Sequence, residues 1–188
     1  VRVTDAKLDQ AAVIARKNKV VKALVSGVEA ALKGAHVTTV KAAARIIGKT
    51  DEGFIVTDGS ETYVGKRLLI ATGSAPTLPP IPGLKDALDR GFVLTSREIL
   101  DLTEAPGRLV VIGGGVIGLE MASYFNSAGS DVTVIEMLST IGGAIDADIA
   151  EILKRNLTRK GIKFHLGCRV TGISGDRVEY TDAQGNAA

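Results

Sequence analysis

Apolar residues from Leu8 to Leu32 return at steps of three, four and one: Leu8, Ala12, Val20, Val21, Leu24, Val25, Val28 and Leu32. Lys17, Lys19, Lys22 and Lys33 fill positions between them. This spacing predicts one long amphipathic helix or two in succession, with Thr4 placed to cap the start and Gly34 near the end. From His36 the period shortens to that of strands. His36–Ile46, Phe54–Thr57 and Thr62–Ile70, parted by the turn signals Thr50-Asp51-Glu52-Gly53 and Asp58-Gly59, predict an antiparallel meander. The last run stops at Ala71, Thr72, Gly73 and Ser74, small residues that let another molecule's backbone or phosphate come close, and that suit a plain strand end equally well. Pro76, Pro79, Pro80 and Pro82 then forbid regular structure and mark a linker.

Beyond the prolines, Phe92, Val93 and Leu94 predict a short strand, and Thr95 with Glu98 a capping box for a helix over Ser96–Leu102. Pro106 and Gly107 reset the chain. The run Leu109, Val110, Val111, Ile112 has the length of a strand buried on both faces. A helix over Val116–Ser127, ended by Gly129, follows it, and Asp131 leads into a second strand, Val132, Val134, Ile135, closed by Glu136. Gly142 and Gly143 are expected to loosen the next loop. Asp146 caps a helix with Ile149, Ile152, Leu153 and Leu157 on its apolar face, ended by Gly161. Ile162–Val170 is the predicted third strand, set beside the second by a right-handed crossover. Gly175-Asp176 turns the chain into Val178–Thr181. The class is α/β, three-layered, with a parallel sheet in the second half and a long helix plus β-meander in the first.

Composition narrows the function classes. A formal net charge of +2 and the absence of Trp leave neither a basic stripe nor a stacking platform for nucleic acid. The single cysteine, Cys168, excludes an internal disulfide, a redox dithiol and a cysteine-based zinc cluster, and is read as an inert buried thiol. His36 has no neighbouring ligand set, so no metal or catalytic role is expected of it. No apolar run reaches the ~20 residues of a membrane span. The chain opens at Val1 without Met and ends at Ala188 soon after a strand, which suggests a segment of a longer protein.

The chemistry lies in the turn after the first strand of the second half. Gly113, Gly115 and Gly118 have G-x-G-x-x-G spacing: the first permits a tight turn, the second a close approach of backbone to a pyrophosphate, the third close packing of helix on strand. The N–H groups opening the Val116 helix, reinforced by its dipole, would face the anion. Glu136, eighteen residues past Gly118, stands where a carboxylate accepts the hydroxyls of an adenosine ribose and repels a 2′-phosphate. No Arg or Lys follows before Lys154, so the expected dinucleotide is NAD rather than NADP.

With these residues in place, the chain resembles the middle of a flavin-dependent pyridine nucleotide–disulfide oxidoreductase, and most closely the branch that oxidises dihydrolipoamide. LLIATGSAPTLPPIPG looks like the family's exit from its FAD domain; LTSREILDLTEAPGRLVVIGGGVIGLE looks like the entry to its NAD domain; VTVIE is similar to its ribose-binding strand end. The resemblance implies a partial FAD-binding domain over residues 1–82, a linker with a short strand and helix over 83–105, and a Rossmann-like NAD-binding domain over 106–188. It implies that Gly113, Gly114, Gly115, Val116, Ile117, Gly118, Leu119 and Glu120 wrap NAD. Glu136 would take the ribose, Val170 the adenine, and Thr72, Gly73 and Ser74 would touch FAD. It further implies a homodimer, association with 2-oxo acid dehydrogenase complex components, and a bacterial cytoplasm or mitochondrial matrix.

The sequence departs from the family in what it omits. The first glycine fingerprint, the C-x-x-x-x-C disulfide, the glycine–aspartate motif that completes the FAD site and the C-terminal domain with its catalytic His and Glu are absent from these residues. Ala42, Ala43 and Ala44 stand where relatives often carry glycines. No catalytic residue is therefore assigned, and the chain alone is expected to be inactive. Related flavin disulfide reductases, such as mercuric reductase, NADH oxidase or transhydrogenase, and a non-catalytic NAD-binding module, are the alternatives.

Overall fold

A computed structural model describes residues 6–188. The expected Thr4 cap lies outside the described residues. The chain divides into two compact units, one of Asn18–Ala75, the other of Pro76–Ala188 together with the residues up to Lys17.

The first unit holds most of helix α1 (Gln10–Gly34) and a meander of β1 (Arg45–Thr50), β2 (Gly53–Thr57) and β3 (Thr62–Gly65) in the order β1-β2-β3. Asp9 supplies a side-chain cap: its carboxylate accepts the Ala12 N–H at 2.9 Å. At the other end His36 adopts φ 56° and closes the helix, its N–H donating to Lys33 O and that of Val37 to Leu32 O. Two expected strands are shorter than their apolar runs. Residues 37–44 and 66–75 are not in strands, so the first strand begins at Arg45 and the third ends at Gly65. A β-strand is defined by its neighbour, and no paired strand adjoins either stretch among the described residues. Leu69 is accordingly 87% exposed.

In the other unit β4 (Arg108–Ile112), β5 (Asp131–Glu136) and β6 (Lys163–Leu166) form a parallel sheet in that order, with Leu109 opposite Val132 and Ile135 opposite His165. Helices α3 (Val116–Ser127) and α4 (Ala147–Arg159) cover one face. Leu119, Ala122 and Phe125 of α3 and Ala150 and Leu157 of α4 bury against Val132 and Val134, with Ile141 and Ile162 closing the cluster. The apolar stripe of α4 is thus Ala150, Leu153 and Leu157, and Ile149 and Ile152 stay largely exposed. Strand β4 is buried on one face only. Leu109 and Val111 meet the helices, whereas Val110 and Ile112 point away and remain 42% and 37% exposed, because no described element lies over them.

The opposite face of β5 and β6 receives the antiparallel hairpin β7 (Arg169–Ser174) and β8 (Arg177–Thr181), where the Tyr180 ring stands 5.2 Å from that of His165. The predicted strand Ile162–Val170 is therefore two strands. Gly167, at φ 68°, breaks it, and the buried Cys168 donates its N–H to Glu136 O at 2.9 Å. Helix α2 (Leu84–Asp89) packs Leu84 and Ala87 on Ile173, and Ile173 donates its N–H to Pro82 O at 2.9 Å. Phe92–Leu94 is not a strand: the Phe92 and Val93 N–H groups both donate to Ala87 O and finish α2 instead. Glu98–Asp101 is a single 3-10 turn, shorter than the helix expected there. Half the capping box survives, since the Glu98 carboxylate accepts the Thr95 N–H at 2.7 Å while Thr95 Oγ1 accepts the Arg97 N–H.

Candidate functional site: the glycine turn between β4 and α3

The turn begins where β4 ends. Gly113 takes φ 104°, a conformation that costs a residue with a Cβ, and its N–H continues the sheet by donating to Ile135 O at 2.9 Å. Gly115 is the N-cap of α3, with an ordinary φ of −72°, and a Cβ added to it would meet nothing within 4 Å. Gly118 differs. Its added Cβ would overlap the Gly113 carbonyl oxygen and stand 3.1 Å from Val111 Cγ1, so only glycine lets α3 lie this close to β4. The three glycines thus differ in surroundings: Gly113 makes the turn, Gly115 lies beneath open space and Gly118 sits where helix meets strand.

Val116 and Ile117 are 59% and 60% exposed, and the first intrahelical bond runs from Leu119 N to Gly115 O. Helix geometry leaves the N–H groups of the first turn without intrahelical acceptors, at the positive end of the dipole. An anion fits there: the space above Gly115 is open, and a side chain at that position would fill it. Glu120 is exposed one turn further on, and Leu119 is buried in the core beneath.

Glu136 ends β5 beside this turn. Its Oε2 accepts the Gly114 N–H at 2.6 Å and its Oε1 the Leu138 N–H at 2.7 Å. A carboxylate has about four lone-pair sites, so two remain for further donors. Sequence reasoning missed the other half of this arrangement. Gly142, expected to loosen its loop, is buried at φ 83° and donates its N–H to Gly114 O at 2.7 Å, while Ile141 is buried beneath it. A glycine pair six residues past Glu136 was the available signal.

Val170 lies in β7 rather than at the end of a parallel strand, half-buried and paired with Tyr180. Thr72, Gly73 and Ser74 belong to the first unit, in an exposed segment after β3 where Gly73 has φ 72°. An open groove of about 500 Å³ runs between α4 and the edge of β6, lined by Lys154, Thr158, Lys163 and Phe164. Its glycine, Gly161, lies in the turn that ends α4 rather than one that opens a helix, so no helix N-terminus faces the groove and it is a sheet-edge groove, not the site. Among the described residues no cluster of His, Cys, Asp and Glu could hold a metal, and no helix is long and apolar enough to cross a membrane.

A parallel β-α-β unit with an open glycine turn and an acidic strand end defines the class of fold that receives nucleotides at its strand ends. The chain belongs to the pyridine nucleotide-disulphide oxidoreductase family, whose model matches residues 3–187. It is 38% identical to a dihydrolipoyl dehydrogenase of Cupriavidus necator over 100% of this chain and 40% of that one. It is likewise 38% identical to the mitochondrial dihydrolipoyl dehydrogenase of Pisum sativum over 96% of this chain and 36% of the relative. The chain thus spans about two fifths of the length of the curated relatives it matches. Among solved structures, the Cu(II) complex of the HOCl-induced flavoprotein disulfide reductase RclA from Escherichia coli superposes with a TM-score of 0.79. It is 29% identical, over 93% of this chain and 39% of that one.

Proposed function

We propose that this chain is the NAD-binding central segment of a flavin-dependent dihydrolipoyl dehydrogenase. Residues 106–188 form its NAD-binding domain, 83–105 a connecting segment and 1–82 part of an FAD-binding domain. The observation that carries the proposal is the pairing of open amides at the start of α3 with a carboxylate at the end of β5. In this arrangement the amides of Gly115, Val116, Ile117 and Gly118 receive the pyrophosphate, and Glu136 receives the adenosine ribose with its two remaining lone-pair sites. Val170 lies toward the adenine, and Glu120, with Leu119 holding its helix in the core, toward the nicotinamide. Thr72, Gly73 and Ser74 contribute to the FAD site, which needs residues beyond these.

Bound NAD and FAD supply the hydride and electron transfer between a dithiol and the nicotinamide. This chain's residues bind and orient the dinucleotide; its single cysteine leaves it without a dithiol of its own. In the whole protein the proposed partners are a second copy and 2-oxo acid dehydrogenase complex components. The 29% identity to RclA favours, as a second reading, another flavin disulfide reductase with the same NAD site.

Calorimetric titration with NADH and NADPH tests the assignment. NADH is expected to bind and NADPH to bind at least ~10-fold more weakly, because a 2′-phosphate would meet the Glu136 charge. A folded sample that binds neither coenzyme refutes it.

A further inference from the structure

We infer that Glu136 is a positioning residue for the anion-binding turn as well as an acceptor for sugar hydroxyls, an inference that rests on the dinucleotide function proposed above. Its two carboxylate oxygens are already engaged, Oε2 with the Gly114 N–H at 2.6 Å and Oε1 with the Leu138 N–H at 2.7 Å. The Gly114 carbonyl in turn accepts the Gly142 N–H at 2.7 Å, and the Gly113 N–H is held by Ile135 O at 2.9 Å. Strand β5 and the loop after it therefore grip three successive peptide groups of the turn, through the Gly113 N–H, the Gly114 N–H and the Gly114 carbonyl. An added Cβ at Gly114 would lie 3.3 Å from Glu136 Cβ, from Oε2 and from Ile141 Cγ2, which shows how closely that grip fits.

Gly114 precedes the N-cap of α3, so its orientation sets where the next amides point. A turn fixed before the ligand arrives loses less freedom on binding and meets a diphosphate with its dipoles already aimed. The carboxylate's own charge acts in the opposite direction, because it repels any anion seated on those amides. The two roles thus predict opposite signs for one measurement, the affinity for an anion that carries no sugar.

The probe is inorganic pyrophosphate, titrated into the 188-residue chain and its variants E136A and E136Q while the amide resonances of Val116–Gly118 are followed by NMR. NADH is titrated in parallel into the wild-type chain. If Glu136 positions the turn, E136A binds pyrophosphate on the order of tenfold more weakly, since two charge-assisted bonds to backbone amides are gone. E136Q, which can accept from one amide but not both, loses about threefold. Hydrogen exchange at the Gly114 amide accelerates in E136A. If Glu136 is only a sugar acceptor, removing its charge leaves pyrophosphate binding unchanged or tightens it about twofold in both variants. Equal or tighter binding by either folded variant overturns the inference. A wild-type chain that binds neither probe overturns the proposed function instead, so the two failures are told apart.

Discussion

Two glycines three residues apart, one the N-cap and one in the first turn of α3, should respond to the same substitution in opposite ways. In Gly118→Ala the new methyl group would overlap the Gly113 carbonyl oxygen and press on Val111 Cγ1 at 3.1 Å. The carbonyl belongs to backbone anchored in the sheet, so α3 has to move off β4, taking Leu119, Ala122 and Phe125 out of register with Val132 and Val134. Overpacking of this kind costs roughly 1–3 kcal/mol, and the move also loosens a close-packed core, for a gross cost of about 3 kcal/mol. Greater helix propensity of alanine returns at most about 1 kcal/mol, less in a first turn, leaving a net loss of about 2 kcal/mol. Gly115→Ala adds a methyl into open space at φ −72° and should change stability by no more than ~0.5 kcal/mol. It should instead weaken NADH binding on the order of tenfold, since the methyl occupies the anion's approach. Urea unfolding with hydrogen exchange read on residues 108–136 isolates this unit from the rest of the chain. A Gly118→Ala midpoint equal to the wild type would show that close approach does not set the helix position.

Three further outcomes follow from local geometry. His36 holds a left-handed φ of 56° at the end of α1, so His36→Gly should stabilise that terminus by roughly 0.5–1 kcal/mol, seen as slower amide exchange over residues 30–37. Gln10, buried at 7% exposure, donates to Leu102 O at 3.0 Å and accepts from the Tyr124 hydroxyl at 2.7 Å. Gln10→Leu strands both partners and should cost about 1–3 kcal/mol, while adding Tyr124→Phe should recover part of the loss in a double-mutant cycle. The Thr95 hydroxyl, and after it the Thr95 N–H, hold the Glu98 carboxyl below its ordinary range, and the Glu61 and Ser60 N–H groups do the same for Asp58. A depressed carboxylate favours the folded state above its unfolded pKa, and that contribution fades as pH falls through the folded value. Carboxyl carbon shifts should therefore titrate at lower pH than in model peptides, and the Thr95–Asp101 turn should fray only in stronger acid than an ordinary glutamate requires.

The stretch from Leu109 to Glu136 could be read directly because its signals are local: a glycine spacing fixed by sterics, a helix of matching length and an acid at a strand end. Elements that depend on a distant partner could not. Residues 37–44 and 68–70 carry strand-like residues, yet pairing is a property of two segments, and no paired strand adjoins them among the described residues. Gly167 shows the reverse error, a single residue able to split a run whose apolar period continues through it. Val110 and Ile112 were equally opaque, since a run of four apolar residues looks the same whether one face is covered or two. Gly142 was misjudged because a glycine in a loop suggests freedom, whereas its amide is committed to Gly114.

The double grip of Glu136 bears on any attempt to recode this site for a phosphorylated coenzyme. An arginine there would welcome a 2′-phosphate, but a guanidinium only donates, and so do the two backbone amides it would inherit. Swapping the charge would orphan both. On the function proposed above, coenzyme preference and the rigidity of the turn would share one side chain, and a switch would have to install new acceptors for Gly114 and Leu138 alongside the new cation.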